Sequence, residues 1–175
     1  MKNYKLYYIE DEYINYLRLY DTKVLYNKNQ SRPYVGIVCT FKGYNYFIPL
    51  SSPKPKHKKM NEKALDIFKI SKGNLGIANI NNMIPAPIET LTEVLSTIND
   101  EKYKILLEKQ ITYINDHKVT FENKIHNFYS LYQKGHLSDA ILKRSCDFSL
   151  LELKCKEYCE NAEILDLTKD TGRTK

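Results

Sequence analysis

A chain of 175 residues, 42% of them hydrophobic, can bury one sizeable core and is too short for two comfortable domains. Its net charge of +6 and pI near 9.0 suit a polyanionic partner. No stretch approaches the ~20 apolar residues of a membrane span, and charged and tyrosine residues interrupt Met1 to Glu10 where a secretory leader would lie, so a cytoplasmic protein is expected. Four cysteines, Cys39, Cys146, Cys155 and Cys159, fit that compartment as thiols. Cys155 and Cys159 share a helical face, yet His57, His117, His126 and His136 add no pairing with zinc spacing, so neither a structural metal nor a cofactor is expected. Fifteen tyrosines and no tryptophan mean that tyrosine must serve both as core filler and as any stacking group.

Short apolar runs in the first half give way to helical spacing in the second, which predicts an α+β fold. Tyr4 to Ile9 reads as a strand, followed by a short helix capped by Asp11 that repeats Ile14 and Leu17 and ends near Asp21. Residues 21–33 have little apolar pattern and read as a long loop, a length that compact domains usually reserve for function. Tyr34 to Phe41 and Tyr44 to Leu50 flank Lys42-Gly43 and predict a hairpin. Ala64 to Ile70, Leu75 to Ile80 and the proline-interrupted Met83 to Ile88 bring the expected strands to five or six, in a twisted antiparallel sheet or partial barrel.

From Asp100 onward, Tyr103, Leu107, Ile111, Ile114, Phe121, Ile125 and Phe128 return at helical intervals until Gly135. Ser149 and Glu152 have the spacing of a capping box for a last helix packed by Leu150, Leu151 and Leu153. Residues 1–170 are read as one domain, and 171–175, without an apolar anchor, as a disordered tail.

The most informative segment is Pro49-Leu50-Ser51-Ser52-Pro53-Lys54-Pro55-Lys56-His57-Lys58-Lys59, which hangs hydroxyls and ammonium groups on the exit of an apolar strand. Its prolines remove backbone donors and fix φ, so the segment is expected to be a loop rather than a helix or an inner strand. Hydroxyls beside cations suit phosphate chemistry; the plain alternative is a solvated charge run. Ser51-x-x-Lys54 also matches the serine–lysine spacing of penicillin-recognising enzymes, but that pattern needs a helix starting at the serine, and no Lys-Thr-Gly triplet occurs.

These residues, taken with three other blocks, resemble the ToxN/AbiQ family of endoribonuclease toxins from type III toxin–antitoxin systems. The other blocks are Tyr34-Val35-Gly36-Ile37-Val38, Gly76-Ile77-Ala78-Asn79-Ile80-Asn81-Asn82-Met83-Ile84-Pro85, and Cys146-Asp147-Phe148-Ser149-Leu150-Leu151-Glu152. The resemblance runs nearly end to end. It implies a MazF-like twisted sheet with surrounding helices and metal-independent cleavage of cellular RNA. It also implies a repetitive RNA antitoxin, cut into pseudoknots that occupy the same groove, in a closed protein–RNA assembly. Carried over residue by residue, it places the active-site hydroxyls on Ser51 and Ser52 and the active-site lysine on Lys54. Arg32 stands where relatives have a lysine, and Tyr26, six residues earlier, is the only upstream tyrosine of the loop.

Cutting RNA without a metal requires the 2′-OH to lose a proton, the phosphorane oxygens to be stabilised and the 5′-oxygen to be protonated. Lys54 and Arg32 can hold the oxygens while Ser51 and Ser52 fix the phosphate for in-line attack, giving a 2′,3′-cyclic phosphate and a 5′-OH. Arginine cannot serve as a base, which leaves Lys54 or Lys28 for proton transfer; Lys56, Lys58 and Lys59 supply positive neighbours, and His57 is a further acid or base by chemistry. Lys28, Lys56, His57, Lys58 and Lys59 are the expected RNA contacts, with Lys102, Lys104, Lys109, Lys118 and Lys124 of the helical half as possible additions. The same residues would also serve a module that binds RNA without cutting it.

Overall fold

A computed structural model describes residues 3–29 and 31–171, with side chains described through residue 162. The chain opens with β1 (Lys5–Ile9) and α1 (Asp11–Tyr20), which buries Tyr13, Ile14 and Leu17. Asp11 is the first residue of α1 rather than its cap, which is Glu10. Next come β2 (Tyr34–Phe41) and β3 (Tyr44–Ser51), joined by Lys42 and Gly43 at φ of 50° and 85°. Both central residues being left-handed makes this the tight turn whose twist matches its strands, and Gly43 takes that conformation without a Cβ penalty.

Residues 55–59 overturn one expectation. Pro55–Lys59 form a one-turn helix, α2, with Pro55 in its first turn and Lys54 as its cap. Proline is tolerated there because the first N–H groups of a helix have no intrahelical partner. The Lys69 ammonium caps the other end, donating to the carbonyls of Lys58 and Met60 at 2.9 Å each.

Short strands β4 (Ile67–Lys69), β5 (Ile77–Asn79), β6 (Ile84–Pro85) and β7 (Leu91–Glu93) complete the sheet. The order is β4-β5-β3-β2-β1-β7, every pairing is antiparallel, and β6 adds to β3. Of the two expected forms, antiparallel sheet and partial barrel, the described structure takes the open sheet, with β4 and β7 at its edges and seven strands where five or six were expected. The unforeseen strand, β7, pairs only three residues with β1, too few to leave a period in the sequence.

The helical half contributes α3 (Glu101–Asp116), α4 (Lys118–Gln133), α5 (Asp139–Leu142) and α6 (Phe148–Thr171). Phe121, Ile125 and Phe128 of α4 and Phe148, Leu151 and Cys155 of α6 pack into one core with Tyr46, Phe47 and Ile48 of β3. The cap of α6 is Asp147, whose Oδ1 accepts from the Leu150 N–H at 3.1 Å, not Ser149. Glu152 turns inward instead: its carboxylate accepts from Tyr129 at 2.6 Å and Tyr46 at 2.9 Å, and Lys42 pairs with it at 3.1 Å. Leu153, expected to pack, is half exposed because Glu152 and Leu151 take the buried side. Thr171, expected in the tail, is described within α6; the rest of the expected tail, 172–175, lies outside the described residues.

Candidate active site

Strand β3 changes partner at its end, and that change builds the site. Up to Pro49 it pairs with β2, while Leu50 and Ser51 pair with Ala78 and Ile77 of β5. Ser51, half-buried, is the last residue of the strand; Ser52, Pro53 and Lys54 follow on the exposed connection to α2. Gly76, just before β5, lies at φ +97°, and a Cβ there would run into the Ser51 carbonyl. Only glycine lets β5 approach this close.

The loop of residues 21–33 closes over this end. Buried Asn27 anchors it, donating through Nδ2 to the Ile9 carbonyl and to Asp11 Oδ1 at 2.7 Å each, while its own carbonyl accepts from the N–H groups of Ser31 and Arg32. Arg32 then spans loop and strand: Nε donates to the Tyr26 carbonyl at 2.9 Å and Nη1 to the Leu50 carbonyl at 3.3 Å. Burial, ahead of any charge nearby, pulls the Arg32 guanidinium below its ordinary range, though arginine stays charged.

Lys28, Arg32, Ser51, Ser52, Lys54 and Tyr103 line a small cleft of about 150 Å³ at this junction. No carboxylate lines it, and no ion pair among the described residues engages Lys28, Arg32 or Lys54. Hydroxyls and unpaired cations in so small a space fit one phosphate group. Five residues expected from the sequence thus converge here from two segments.

The others are placed differently. The Tyr26 side chain is 56% exposed, lies under the Arg18 guanidinium at 5.8 Å, and meets Asn29 Oδ1 at 3.5 Å; only its carbonyl reaches the site, through Arg32. His57 is buried on α2, and burial followed by Lys56 and Lys54 holds its imidazole below the usual value. Lys56 lines a neighbouring, larger cleft, while Lys58 and Lys59 project into solvent from the end of α2. In the helical half, Lys118 lies over the Tyr4 ring at 4.7 Å and pairs with Glu122 at 3.7 Å, and Lys124 donates to the Glu62 carbonyl at 3.0 Å.

Two contributors went unnoticed in the sequence. Tyr103 looked like one more apolar position of a helix, yet it walls the small cleft from α3. Asn79 lay inside a recognised block without a role; its Nδ2 donates to Ser51 Oγ and to the Pro49 carbonyl, each at 3.0 Å.

A strand end that sets serines and cations around a small cleft has the chemistry that suits a phosphodiester, and comparison with known proteins gives the family. Residues 5–156 match the family model described as Toxin ToxN, type III toxin-antitoxin system, and the chain belongs to that family. It is 34% identical to the endoribonuclease ToxN of Bacillus thuringiensis subsp. kurstaki, over 95% of this chain and 90% of that one. Its identity to the endoribonuclease AbiQ of Lactococcus lactis subsp. lactis is 36%, over 90% of this chain and 91% of that one. The solved structure of AbiQ, described as a lactococcal anti-phage endoribonuclease of a type III system, superposes with a TM-score of 0.78 at 32% identity, covering 91% of this chain and 99% of the other. A second solved structure, of a toxin selectively inhibited by a non-coding RNA pseudoknot, gives a TM-score of 0.77 at 33% identity, with the same coverage.

Proposed function

We propose that this chain is an endoribonuclease toxin of a type III toxin–antitoxin system, acting in the cytoplasm on cellular RNA and held inactive by a pseudoknotted RNA. One observation carries the reading: in a member of this family, Lys28, Arg32, Ser51, Ser52 and Lys54 share a cleft without a carboxylate. The cations supply the positive charge that a phosphorane needs, so cleavage proceeds without a divalent metal. Arg32, held by two carbonyls, and Lys54, at the start of α2, neutralise the non-bridging oxygens. Ser51 and Ser52 orient the phosphate for attack by the adjacent 2′-OH, leaving a 2′,3′-cyclic phosphate and a 5′-OH. Tyr26, exposed on the loop, is left to contact the substrate, and Lys56, Lys58 and Lys59 extend the positive surface for RNA, substrate and antitoxin alike.

The test is incubation of the purified protein with RNA in excess EDTA. Cleavage is expected to persist, to leave cyclic-phosphate ends, and to fall by about 10²-fold or more in Ser52→Ala and Lys54→Ala. RNA that is bound in a salt-dependent way but never cut would favour a non-catalytic binding module instead.

A further inference from the structure

When an RNA strand is cut by its own 2′-OH, negative charge gathers on the departing 5′-oxygen, which leaves readily only if a proton reaches it as the bond breaks. Few side chains of the small cleft can supply one. Arg32 does not give up its proton, and the aliphatic hydroxyls of Ser51 and Ser52 are far weaker acids than a phenol. Lys28 and Lys54 are exposed, and a lysine that gave up its proton would also give up the charge that the phosphorane needs.

Tyr103 is placed otherwise. It stands in the first turn of α3, so it reaches the cleft from a helix, whereas the other lining side chains come from the loop of residues 21–33 and from the end of β3 and its exit. Two contacts fix it: its N–H donates to the cap, Asp100 Oδ1, at 3.1 Å, and its ring packs against the core. The side chain is half-buried, and among the described residues its hydroxyl makes no hydrogen bond. A tyrosine hydroxyl removed from water usually has a partner, so one left free beside a cleft is open to a ligand. Burial first, then Tyr8, pushes its pKa up, while Arg32 pulls it down. The phenol therefore keeps its proton at neutral pH, and a phenolate left behind would have the Arg32 guanidinium near it. Tyr26, the tyrosine expected from the loop, turns its side chain to solvent and to Arg18, which leaves Tyr103 as the phenol lining the cleft among the described residues.

Resting on the reading of the chain as a ribonuclease, we infer that Tyr103 is its general acid, donating the phenolic proton to the 5′-oxygen as the strand breaks. The 2′-oxygen sheds its proton to water and bonds to phosphorus; the bond from phosphorus to the 5′-oxygen breaks, and the electron pair left on that oxygen takes up the proton of Tyr103. The products are the 2′,3′-cyclic phosphate and the 5′-OH. The phenolate, beside Arg32, then regains from water the proton that the 2′-OH released, so the enzyme ends as it began.

An RNA in which sulfur replaces the bridging 5′-oxygen of the cut bond tests this role, because a thiol, with a pKa of about 8.5, leaves as its anion without a proton donor. Tyr103→Phe keeps the ring and removes only the hydroxyl. On ordinary RNA this variant is expected to cut at least about 10²-fold more slowly than the unaltered protein, and on the sulfur-containing RNA at close to the unaltered rate. An unaltered rate on ordinary RNA would overturn the inference and leave Tyr103 as a wall of the cleft, a part that phenylalanine plays as well. An equal loss on both RNAs would overturn it too, since a hydroxyl that only places the substrate or supports the fold is needed whichever atom departs. Failure of the unaltered protein to cut either RNA would instead bring down the ribonuclease reading, and this inference with it.

Discussion

Asn79 on β5 donates to Ser51 Oγ at the end of β3 at 3.0 Å, so the serine oxygen acts there as an acceptor and its own proton remains available to a phosphate oxygen. The amide thus sets both the position of the hydroxyl and its direction as a donor. Asn79→Ala is expected to lower kcat for RNA cleavage about tenfold with a smaller change in KM, and to cost about 1 kcal/mol of stability for the lost bonds. Steady-state kinetics on a short RNA, with a thermal melt beside it, separates the two; an unchanged kcat would remove Asn79 from the positioning of Ser51.

Arg32 is held at two points, the Tyr26 carbonyl of the loop and the Leu50 carbonyl of β3. A lysine carries the charge but lacks the planar fork that satisfies two carbonyls while facing an anion. Arg32→Ala should reduce cleavage by about 10²-fold or more, and Arg32→Lys should recover only part of that loss. Full activity in the lysine variant would show that charge alone is required.

Gly76 is where β5 comes closest to the active-site strand, with Ser52 C 3.1 Å from the place a Cβ would occupy and the Ser51 oxygen nearer still. Gly76→Ala combines a disfavoured positive φ with that collision, so a loss of about 1–3 kcal/mol or more is expected, read as a lower urea midpoint. The serine would move with its strand, so activity per folded molecule should also fall. An unchanged midpoint would mean that β5 can retreat at no cost.

His57 gives stability a pH dependence of definite sign. Burial, then Lys56 and Lys54, lowers the folded-state value below the ordinary one near 6.5, so between the two values the unfolded chain binds more protons than the folded one. The stability gained by keeping the imidazole neutral is therefore fully present above pH ~6.5 and is lost as pH falls through that window. Urea midpoints at pH 7.5 and 5.5 should differ more for the wild type than for His57→Gln. Equal differences in the two proteins would show that the imidazole does not carry the effect.

What the sequence by itself determined is local. Lys42-Gly43 between two apolar runs was enough for the hairpin, because a two-residue left-handed turn is specified by its own residues. The same hairpin carries Ser51 and Ser52 to its end, so the two hydroxyls and Lys54 that line the small cleft were legible with it. Helical spacing from Tyr103 to Phe128 likewise declared its buried face. The family was legible too, in blocks that keep their order along the chain.

Only the tertiary structure decided which distant residues meet. Glu152 has the spacing of a helix cap, yet it faces two tyrosine hydroxyls, one of them 106 residues away, because a buried carboxylate must find donors wherever the packing brings them. Pro55 read as a breaker and is the start of a helix, since its effect depends on whether the position already lacks a bonding partner for its N–H. Asn79, Arg144 and Tyr103 arrive at the two clefts from β5, the segment after α5, and α3, and no periodicity in the chain records such a convergence. Short-range propensity fixes the elements, whereas the site exists only once strand pairing has brought separate segments to the end of β3.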